Sequence, residues 1–489
     1  MVATTVRRAV PLLACALALA LLPGFAQAAP GVLDGSFGNG GSVVVEGPAG
    51  PQLHTQAPAK MALGADGSIY VLFANQAPCA TFSGCTVDWS VARFSADGVR
   101  DTAFGAGPGS TLAVRGNEYA PADLAIGPDG RPVVVALDES EVVLARFDQS
   151  GHLETVLNAG EASPLSGGAS SPPVVAVQAD GKVLVAAGNS EELHIVRYLA
   201  SGGRDPGFGS GGETSITMGT GSRPAGLLLG AGGTISVATP QCCGGSPPYG
   251  EGVGFARFLS DGHPDAALNG SGQTLLATPG ARGNVEAVAL APDGGVYIVF
   301  EIGTETVSTV GNLVKLRPDG SVDTGFSKDG FSRFPMSVDH LAVDAKGRLL
   351  ASGWDGNAAV FRMKASGGPD RSFGAGMPVP LRDSGPATTV ALQGKGQIVA
   401  LGEPCCGSGK TFTLFRLLGG TDHTRCLHRK ATIVGTNGPD EIIGTPHRDV
   451  IAALGGRDKV RALGGPDVVC GGKGKDELFG GAGRNEVRP

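Results

Sequence analysis

The feature that most constrains this chain is a unit of about fifty residues that occurs seven times along it. Each unit holds an apolar run, a glycine turn, a second apolar run, a variable loop, and a third run ending in Arg or Lys before another glycine turn. Turn pairs such as Asp129-Gly130 and Asp180-Gly181 favour tight type I′ hairpins. Four short strands at this period are typical of propeller blades. The sequence therefore predicts an all-β protein, a β-propeller of about seven four-stranded blades.

The composition agrees with many short strands joined by glycine turns. Glycine contributes 81 of 489 residues, hydrophobic residues make up 42%, and mean hydropathy is +0.10. This apolar content argues against a disordered chain. The formal net charge is -7, whereas nucleic-acid-binding proteins usually carry a basic surface. We therefore expect no nucleic-acid partner.

Residues 1–28 have the pattern of a signal peptide. Arg7 and Arg8 precede an apolar run from Ala9 to Leu22, and Ala26-Gln27-Ala28 is a small-x-small cleavage site. The run is shorter than the ~20 residues of a membrane span, although an uncleaved anchor is the alternative. We expect a secreted mature protein that begins at Ala29 and has no membrane span.

One spacing recurs within the units. A basic residue in the third run precedes an acid by eight positions and, in the same unit, a large apolar residue by eleven. The sets are Arg93/Asp101/Phe104, Arg146/Glu154/Leu157, Arg197/Asp205/Phe208, Arg257/Asp265/Leu268, Lys315/Asp323/Phe326 and Arg362/Asp370/Phe373. A catalytic role would require six copies of one active site, so we interpret the pairs as structural links between third and fourth strands.

The last unit lacks its acid. Arg416 is followed eight residues later by Thr424, while Asp34 and Phe37 stand near the other end of the propeller segment. The pattern predicts that this N-terminal segment supplies the fourth strand of the last blade. Such closure leaves no open sheet edge.

These units resemble the bacterial delta-60 repeat from about Gly31 to Gly420. The third unit is the clearest, with QADGKVLVAAG followed by HIVRYLASGGRDPGFGSGG. The resemblance implies a propeller domain over 29–420 and no particular activity. The longer irregular loops all fall on one face of the expected propeller, where an unknown extracellular ligand would bind. These loops are Gln76 to Asp88, Pro240 to Gly252, Glu301 to Val310 and Glu403 to Thr411.

The cysteines indicate an oxidising compartment. Eight remain after the signal peptide, an even number that favours disulfides. Cys79 and Cys85 enclose a short loop and are expected to pair, as are Cys426 and Cys470, which flank the last segment. Two adjacent pairs have open connectivity: Cys242, Cys243, Cys405 and Cys406.

The final segment, 421–489, has a period of its own. An acid recurs every nine residues, with an aliphatic residue two positions after it. The acids are Asp440, Asp449, Asp458, Asp467 and Asp476, and Asn485 takes the sixth position. Glycines stand two positions before four of the acids, at Gly438, Gly456, Gly465 and Gly474.

This pattern resembles the haemolysin-type (RTX) nonapeptide repeat, which implies a small parallel β-roll that binds Ca²⁺. Exposed turn carbonyls and the aspartates would supply the oxygen ligands that Ca²⁺ prefers. His447 replaces a turn glycine and Asn485 lacks a charge, so the second and last copies are the weakest candidates. A β-roll that has lost its metal is the alternative.

No catalytic motif supports an enzymatic assignment: H-E-x-x-H and G-x-S-x-G are both absent from the sequence. The preferred hypothesis is a secreted, non-catalytic calcium-binding protein with a binding or structural propeller. The alternatives are an extracellular propeller enzyme, such as a hydrolase or lyase, and a cell-envelope adhesin. Residues from several blades could form an active site without leaving a local motif.

Overall fold

The computed structural model describes most of the chain. The described residues are 31–45, 59–76, 85–105, 111–116, 122–138, 141–158, 172–188, 192–218, 223–241, 252–277, 281–302, 311–381, 384–403, 412–419, 425–427, 429–431, 433–434 and 439–489. They divide into two compact units, which lie within Ala28–Thr424 and Arg425–Pro489.

Several predicted features fall on residues outside the described ranges. They are the signal peptide 1–28, most of each of the four long loops, Gly438, Cys79, the side chain of Cys85, and the cysteines 242, 243, 405 and 406.

The first unit contains seven four-stranded antiparallel sheets, as the repeats predict. Blades 1 to 4 contain β2 (Lys60–Leu63), β3 (Ile69–Gln76), β4 (Cys85–Phe94), β5 (Thr111–Gly116), β6 (Ala122–Ile126), β7 (Pro132–Asp138), β8 (Glu141–Phe147), β9 (Leu153–Asn158), β10 (Val174–Val177), β11 (Val183–Gly188), β12 (Glu192–Tyr198), β13 (Glu213–Thr217), β14 (Leu227–Leu229), β15 (Ile235–Gln241), β16 (Gly252–Phe258) and β17 (Gln273–Ala277).

Blades 5 to 7 complete the ring. They contain β18 (Ala281–Leu290), β19 (Val296–Ile302), β20 (Gly311–Leu316), β21 (Phe331–Arg333), β22 (Ser337–Val343), β23 (Leu349–Trp354), β24 (Ala358–Met363), β25 (Val379–Leu381), β26 (Ala387–Leu392), β27 (Ile398–Gly402), β28 (Phe412–Leu417) and β1 (Ser42–Val45). Helical structure in the described ranges consists of three short 3₁₀ turns, at Ala231–Gly233, Gly374–Gly376 and Gly394–Gly396.

The first turn of each blade shows why glycine recurs there. In blade 2 the amide of Gly130 donates to the carbonyl of Gly127, and the amide of Gly127 donates to the carbonyl of Arg131, both at 2.9 Å. Gly130 has φ +80°, but Asp129 does not have a positive φ. This is a type I turn followed by a left-handed glycine, so the expected type I′ geometry is wrong here.

The hydrophobic core lies between blades. Seven clusters of buried apolar residues occur in the propeller, and each joins neighbouring blades. Each sheet is therefore stabilised on both faces by burial against its neighbours, as in other propellers.

The N-terminal strand closes the ring, and the prediction from Asp34 and Phe37 is confirmed. β1 pairs antiparallel with β28, so blade 7 has the order β1-β28-β27-β26. The guanidinium Nε of Arg416 donates to Asp34 Oδ2 at 2.9 Å, and the guanidinium lies 4.8 Å from the centroid of the Phe37 ring. The two ends of the propeller segment thus meet in one sheet.

The arginines that end six of the third strands link their blade to the next, whereas Lys315 contacts Asp293 and Asp323 of its own blade. Arg197 Nε donates to Asp205 Oδ2 at 2.8 Å, and its Nη1 donates to the carbonyl of Ser260 in blade 4. Six blades contain the basic–acid pair: Arg93–Asp101, Arg197–Asp205, Arg257–Asp265, Lys315–Asp323, Arg362–Asp370 and Arg416–Asp34. These contacts support the structural interpretation of the repeated spacing.

Blade 2 departs from the predicted pairing. Arg146 donates to the carbonyls of Leu199 and Ala200 in blade 3, while Glu154 pairs with Arg131 at 3.0 Å. Glu154 lies inside β9, at a bulge between the pairs Arg146–Thr155 and Phe147–Leu153. The Arg146/Glu154 pair is therefore wrong, although the link from Arg146 to the next blade is kept.

The second unit is a small roll of parallel strands. Its strands are β29 (Arg425–Cys426), β30 (Arg429–Lys430), β31 (Ile433–Val434), β32 (Glu441–Ile443), β33 (Val450–Ala452), β34 (Gly455–Gly456), β35 (Lys459–Arg461), β36 (Val468–Cys470), β37 (Lys473–Gly474), β38 (Glu477–Phe479) and β39 (Glu486–Arg488). Two parallel sheets, β31-β33-β36-β39 and β32-β35-β38, run along it, with β34-β37 as a short third ladder.

The roll is filled by the aliphatic residues of the nonapeptides. Ile442, Ile451, Val460 and Val469 are buried in one cluster, with Leu478 packed against it. A disulfide joins Cys426 to Cys470, so the β29–β30 hairpin is tied to the outer face of the sheet containing β36. Among the described residues of the whole chain, no helix is long and apolar enough to cross a membrane.

Candidate metal centre

The acids of the roll form two ladders along its edges. We number the six turns by the residue at the acid position: turn 1 Asp440, turn 2 Asp449, turn 3 Asp458, turn 4 Asp467, turn 5 Asp476 and turn 6 Asn485. From turn 3 onward, the Oδ1 of this residue accepts the backbone amide of the residue eighteen positions earlier, at 2.8–3.0 Å. Odd-numbered turns therefore stack in one row and even-numbered turns in the other.

The second oxygen of three aspartates has no hydrogen-bond partner. Oδ2 is buried and unpartnered in Asp458, Asp467 and Asp476. The residues Asp458 and Asp467 are each only 1% exposed. Leaving a buried carboxylate oxygen without a partner is costly, so a positive group beside these atoms would stabilise the roll.

The electrostatic field at the middle of the odd row is unfavourable for negative charge. Burial raises the pKa of Asp458; the backbone amide of Asp440 opposes this shift, while the charges of Asp440 and Asp476 add to it. A cation between the turns would remove this repulsion.

The turn glycines allow the backbones to approach closely. Gly456, Gly465 and Gly474 have φ of +137°, +117° and +139°, and a Cβ on Gly474 would lie 1.6 Å from the carbonyl oxygen of Gly456. In turns 3 and 4 the second position also has positive φ, although it is Leu454 or Leu463. These turns therefore keep the conformation that the missing glycines would provide.

The chemistry of this arrangement fits Ca²⁺. The groups that converge are carboxylate and carbonyl oxygens, the hard ligands that Ca²⁺ binds, and no sulfur or imidazole is needed. Within the described ranges, no group of three or more His, Cys, Asp or Glu side chains is arranged to hold a metal. Backbone carbonyls would have to complete the coordination, as the repeat pattern predicts.

A second group of polar residues lies near the propeller axis, and the sequence analysis missed it. The first strands of neighbouring blades contact one another around the whole ring, and they carry Lys60, Asp123, Asp339 and His340. Glu403 follows β27, where its amide donates to the carbonyl of Pro386 at 2.9 Å.

These axial groups influence one another's ionisation. Burial, aided by the charge of Asp339 and opposed by that of Lys60, raises the pKa of Glu403 to about 7. Burial and the charge of Lys60 lower the pKa of His340 to about 4, and its Nδ1 is buried without a hydrogen bond. Burial also raises the pKa of Asp123, whose Oδ2 accepts the amide of Val175 at 3.0 Å. The residues come from four blades, so no local motif could have revealed them.

Comparison with known families identifies both repeats. Residues 431–460 and 453–487 match the RTX calcium-binding nonapeptide repeat (four copies). Residues 178–208 and 302–326 match a beta-propeller domain of unknown function, DUF5122, which is consistent with the delta-60 resemblance. The chain thus contains RTX calcium-binding repeats and a DUF5122 propeller. No curated protein matches it.

Solved propeller structures are similar at low identity. They include the Penicillium chrysogenum alpha-L-arabinanase complexed with arabinobiose, at 14% identity and TM-score 0.38, covering 61% of this chain and 92% of that one. A protein of unknown function from Dyadobacter fermentans has 11% identity and TM-score 0.39, with coverages of 77% and 98%. Drosophila Plexin A in complex with Semaphorin 1b has 12% identity and TM-score 0.35, with coverages of 77% and 89%. These similarities carry no functional argument.

Proposed function

We propose that this chain is a secreted calcium-binding repeat protein with a non-catalytic binding or structural propeller. The propeller domain would span 29–420 and the calcium-binding roll 421–489, after removal of residues 1–28. The Cys426–Cys470 disulfide supports an oxidising destination, because such bonds persist outside the reducing cytosol. The propeller ligand would bind on the face that carries the long loops.

The observation that carries the calcium assignment is the set of unpartnered, buried Oδ2 atoms in turns 3, 4 and 5. Asp440, Asp449, Asp458, Asp467 and Asp476 would supply the carboxylates, with carbonyl oxygens of the turns that contain Gly438, Gly456, Gly465 and Gly474. Bound Ca²⁺ would neutralise the stacked carboxylates and tie neighbouring turns of a row together. The carboxylates themselves already orient the turns through the Oδ1 ladder.

Removal of one central carboxylate tests this assignment. In full-length protein, Asp458→Asn keeps the side-chain shape and an acceptor for the Asp440 amide but loses the charge. For sites of 10⁻⁴ M, 10 mM Ca²⁺ should stabilise the wild-type roll by about 3 kcal/mol per ion. We expect Asp458→Asn to lose at least one ion in calorimetric titration and part of this stabilisation.

The matched control is Glu477→Gln, which removes an equal charge from an exposed position of the same roll. It should leave the number of bound ions unchanged. If wild-type protein shows neither heat of binding nor any change in thermal unfolding with 10 mM Ca²⁺, the calcium assignment is wrong. The roll would then be a metal-free relic.

The axial cluster favours a second candidate, an extracellular hydrolase or lyase. A carboxyl group with a pKa near 7, such as that of Glu403, has the ionisation suited to general acid–base catalysis at neutral pH. Lys60 and Asp339 are charged neighbours from other blades. A glycan and small-molecule screen that measures binding and turnover in parallel distinguishes the two candidates. Binding without turnover supports the non-catalytic propeller, and turnover supports the enzyme.

A further inference from the structure

Turn 6 satisfies its own carbonyls with a side-chain donor. The Nδ2 of Asn485 donates to the carbonyl of Gly480 at 2.8 Å and to that of Gly481 at 3.0 Å. Its Oδ1 accepts the Asp467 amide at 2.9 Å, as the aspartates do in the other turns. The amide therefore keeps the ladder and places an N–H₂ group where an aspartate would have its second oxygen.

Turn 2 also has no unpartnered second oxygen, but for a different reason. There the carboxylate remains, but Asp449 Oδ2 accepts the backbone amide of Thr445 at 2.6 Å and its hydroxyl at 3.0 Å. Thr445 and His447 do not have the positive φ found at the equivalent positions of turns 3 to 6. Threonine, being β-branched, disfavours positive φ, and the φ of +117° to +139° at the fourth position of turns 3 to 6 is adopted readily by glycine alone, so turn 2 has another backbone that donates to its own carboxylate.

Turns 3, 4 and 5 contain no such substitute donor on the second carboxylate oxygen. Oδ2 of Asp476 would lie 2.4 Å from a Cβ placed on Gly471, the first residue of its own turn, as Asn485 lies against Gly480 in turn 6. The second oxygen is thus held over its own turn, where Asn485 instead presents a donor. In turns 3 to 5 that oxygen is unpartnered.

Because the turns stack within rows, the two rows differ in how many neighbouring turns have an unpartnered carboxylate oxygen. In the odd row, turns 3 and 5 are neighbours, and both have an unpartnered oxygen. In the even row, turn 4 has an unpartnered oxygen. Its two neighbours, turns 2 and 6, do not. An ion held between two stacked turns needs oxygens from both of them.

We infer that calcium binding is confined to the odd row, between turns that include Asp458 and Asp476, and that hydrogen-bond donors from Thr445 and Asn485 replace the ions of the even row. This inference rests on the proposed calcium function and assigns it to one edge of the roll. The even row is therefore an edge of the roll that binds no metal and stays folded at low calcium. Asn485 prevents an ion from binding beside Asp467.

Asn485→Asp tests the inference in the full-length protein. The change removes the donor to Gly480 and Gly481 and adds a carboxylate beside Asp467. We expect native mass spectrometry and calorimetry in CaCl₂ to show one more bound ion than in wild type. Without calcium the roll should unfold at a lower temperature than in wild type, and with 10 mM Ca²⁺ the difference should disappear. Asn485→Ala, the control, should lose stability without gaining an ion.

A second variant keeps the test decisive if Asn485→Asp folds poorly. Thr445→Gly with His447→Gly restores the glycines of turn 2 and should likewise add one ion, bound with Asp449 and Asp467. If both variants bind the same number of ions as wild type while Asp458→Asn binds fewer, the inference is overturned and the calcium function stands. If wild type binds no calcium at all, both the function and the inference are wrong.

Discussion

The closure of the propeller by Asp34 gives the sharpest test of how the fold is held together. We consider Asp34→Asn, which removes one charge and keeps the side-chain shape. Asp34 Oδ2 accepts Arg416 Nε at 2.9 Å and Gln397 Nε2 at 3.2 Å, and Oδ1 accepts the Ser36 hydroxyl at 2.6 Å. The side chains of Arg416 and Asp34 are only 2% and 3% exposed.

The magnitude follows from this burial. Removing one partner of a buried ion pair typically costs 3–5 kcal/mol, and because Arg416 keeps a second contact with the exposed Asp97 at 3.1 Å, we expect about 3 kcal/mol from Asp34→Asn. The matched control is Asp101→Asn in blade 1. There Arg93 and Asp101 are each 30% exposed, so solvent screening should limit the cost to about 1 kcal/mol or less.

Urea unfolding measures both costs, and hydrogen exchange locates them. Asp34→Asn should speed amide exchange in residues 31–45 and in β28, because their pairing closes the ring. Asp370→Asn breaks an equally buried pair inside blade 6 and should leave residues 31–45 protected. If Asp34→Asn costs no more than Asp101→Asn, or if residues 31–45 stay protected, the buried pair does not secure the closure.

Two further predictions concern the axis and the disulfide. The folded-state pKa of Glu403 is raised from 4.5 to about 7, so its own contribution to stability should fall as pH rises from 4.5 to 7, while the lowered pKa of His340 acts in the opposite direction between pH 4 and 6.5. Glu403→Gln should therefore be more stable than wild type at pH 8, by at most about 3 kcal/mol, and equally stable below pH 4.5. Thermal unfolding across pH 4–9 measures this difference in stability, and the same difference at every pH would contradict the prediction. Cys470→Ser should destabilise the roll by about 4 kcal/mol, since the bond closes a loop with a sequence separation of 44, and urea unfolding should leave the propeller transition unchanged; an unaltered roll transition would contradict it.

The repeats predicted the blades because each unit encodes its own hairpins. Aspartate and glycine at the turns, apolar runs between them and a basic residue at a fixed place are all local signals. The closure by Asp34 was also predictable, because the acid absent after Arg416 stands at the other end of the segment. The axial cluster was not, since Lys60, Asp123 and His340 stand at the same place in their units, seven residues before the turn glycine, but differ in residue type, and Glu403 comes from another part of its unit.

The failed pair in blade 2 shows where spacing is insufficient. In blade 3, Asp205 accepts the Gly207 amide through Oδ1 at 3.0 Å while its own amide donates to the Arg197 carbonyl. This local turn suits the short aspartate side chain, which bonds its own backbone two residues on. Glu154 has one more methylene group and continues into β9 instead. Blade 2 keeps the spacing of eight residues between Arg146 and Glu154, but it lacks the turn that would bring the carboxylate to the arginine.

In the roll as well, the chemistry of a turn is decided by one side-chain atom. Asp476 and Asn485 stand at equivalent positions, and both use one oxygen for the ladder. In Asp476 the other atom is an acceptor without a partner, whereas in Asn485 it is a donor with two carbonyl partners. The nine-residue period alone would predict six equivalent turns. The polarity of that single atom separates turns that need a cation from a turn that already has its substitute.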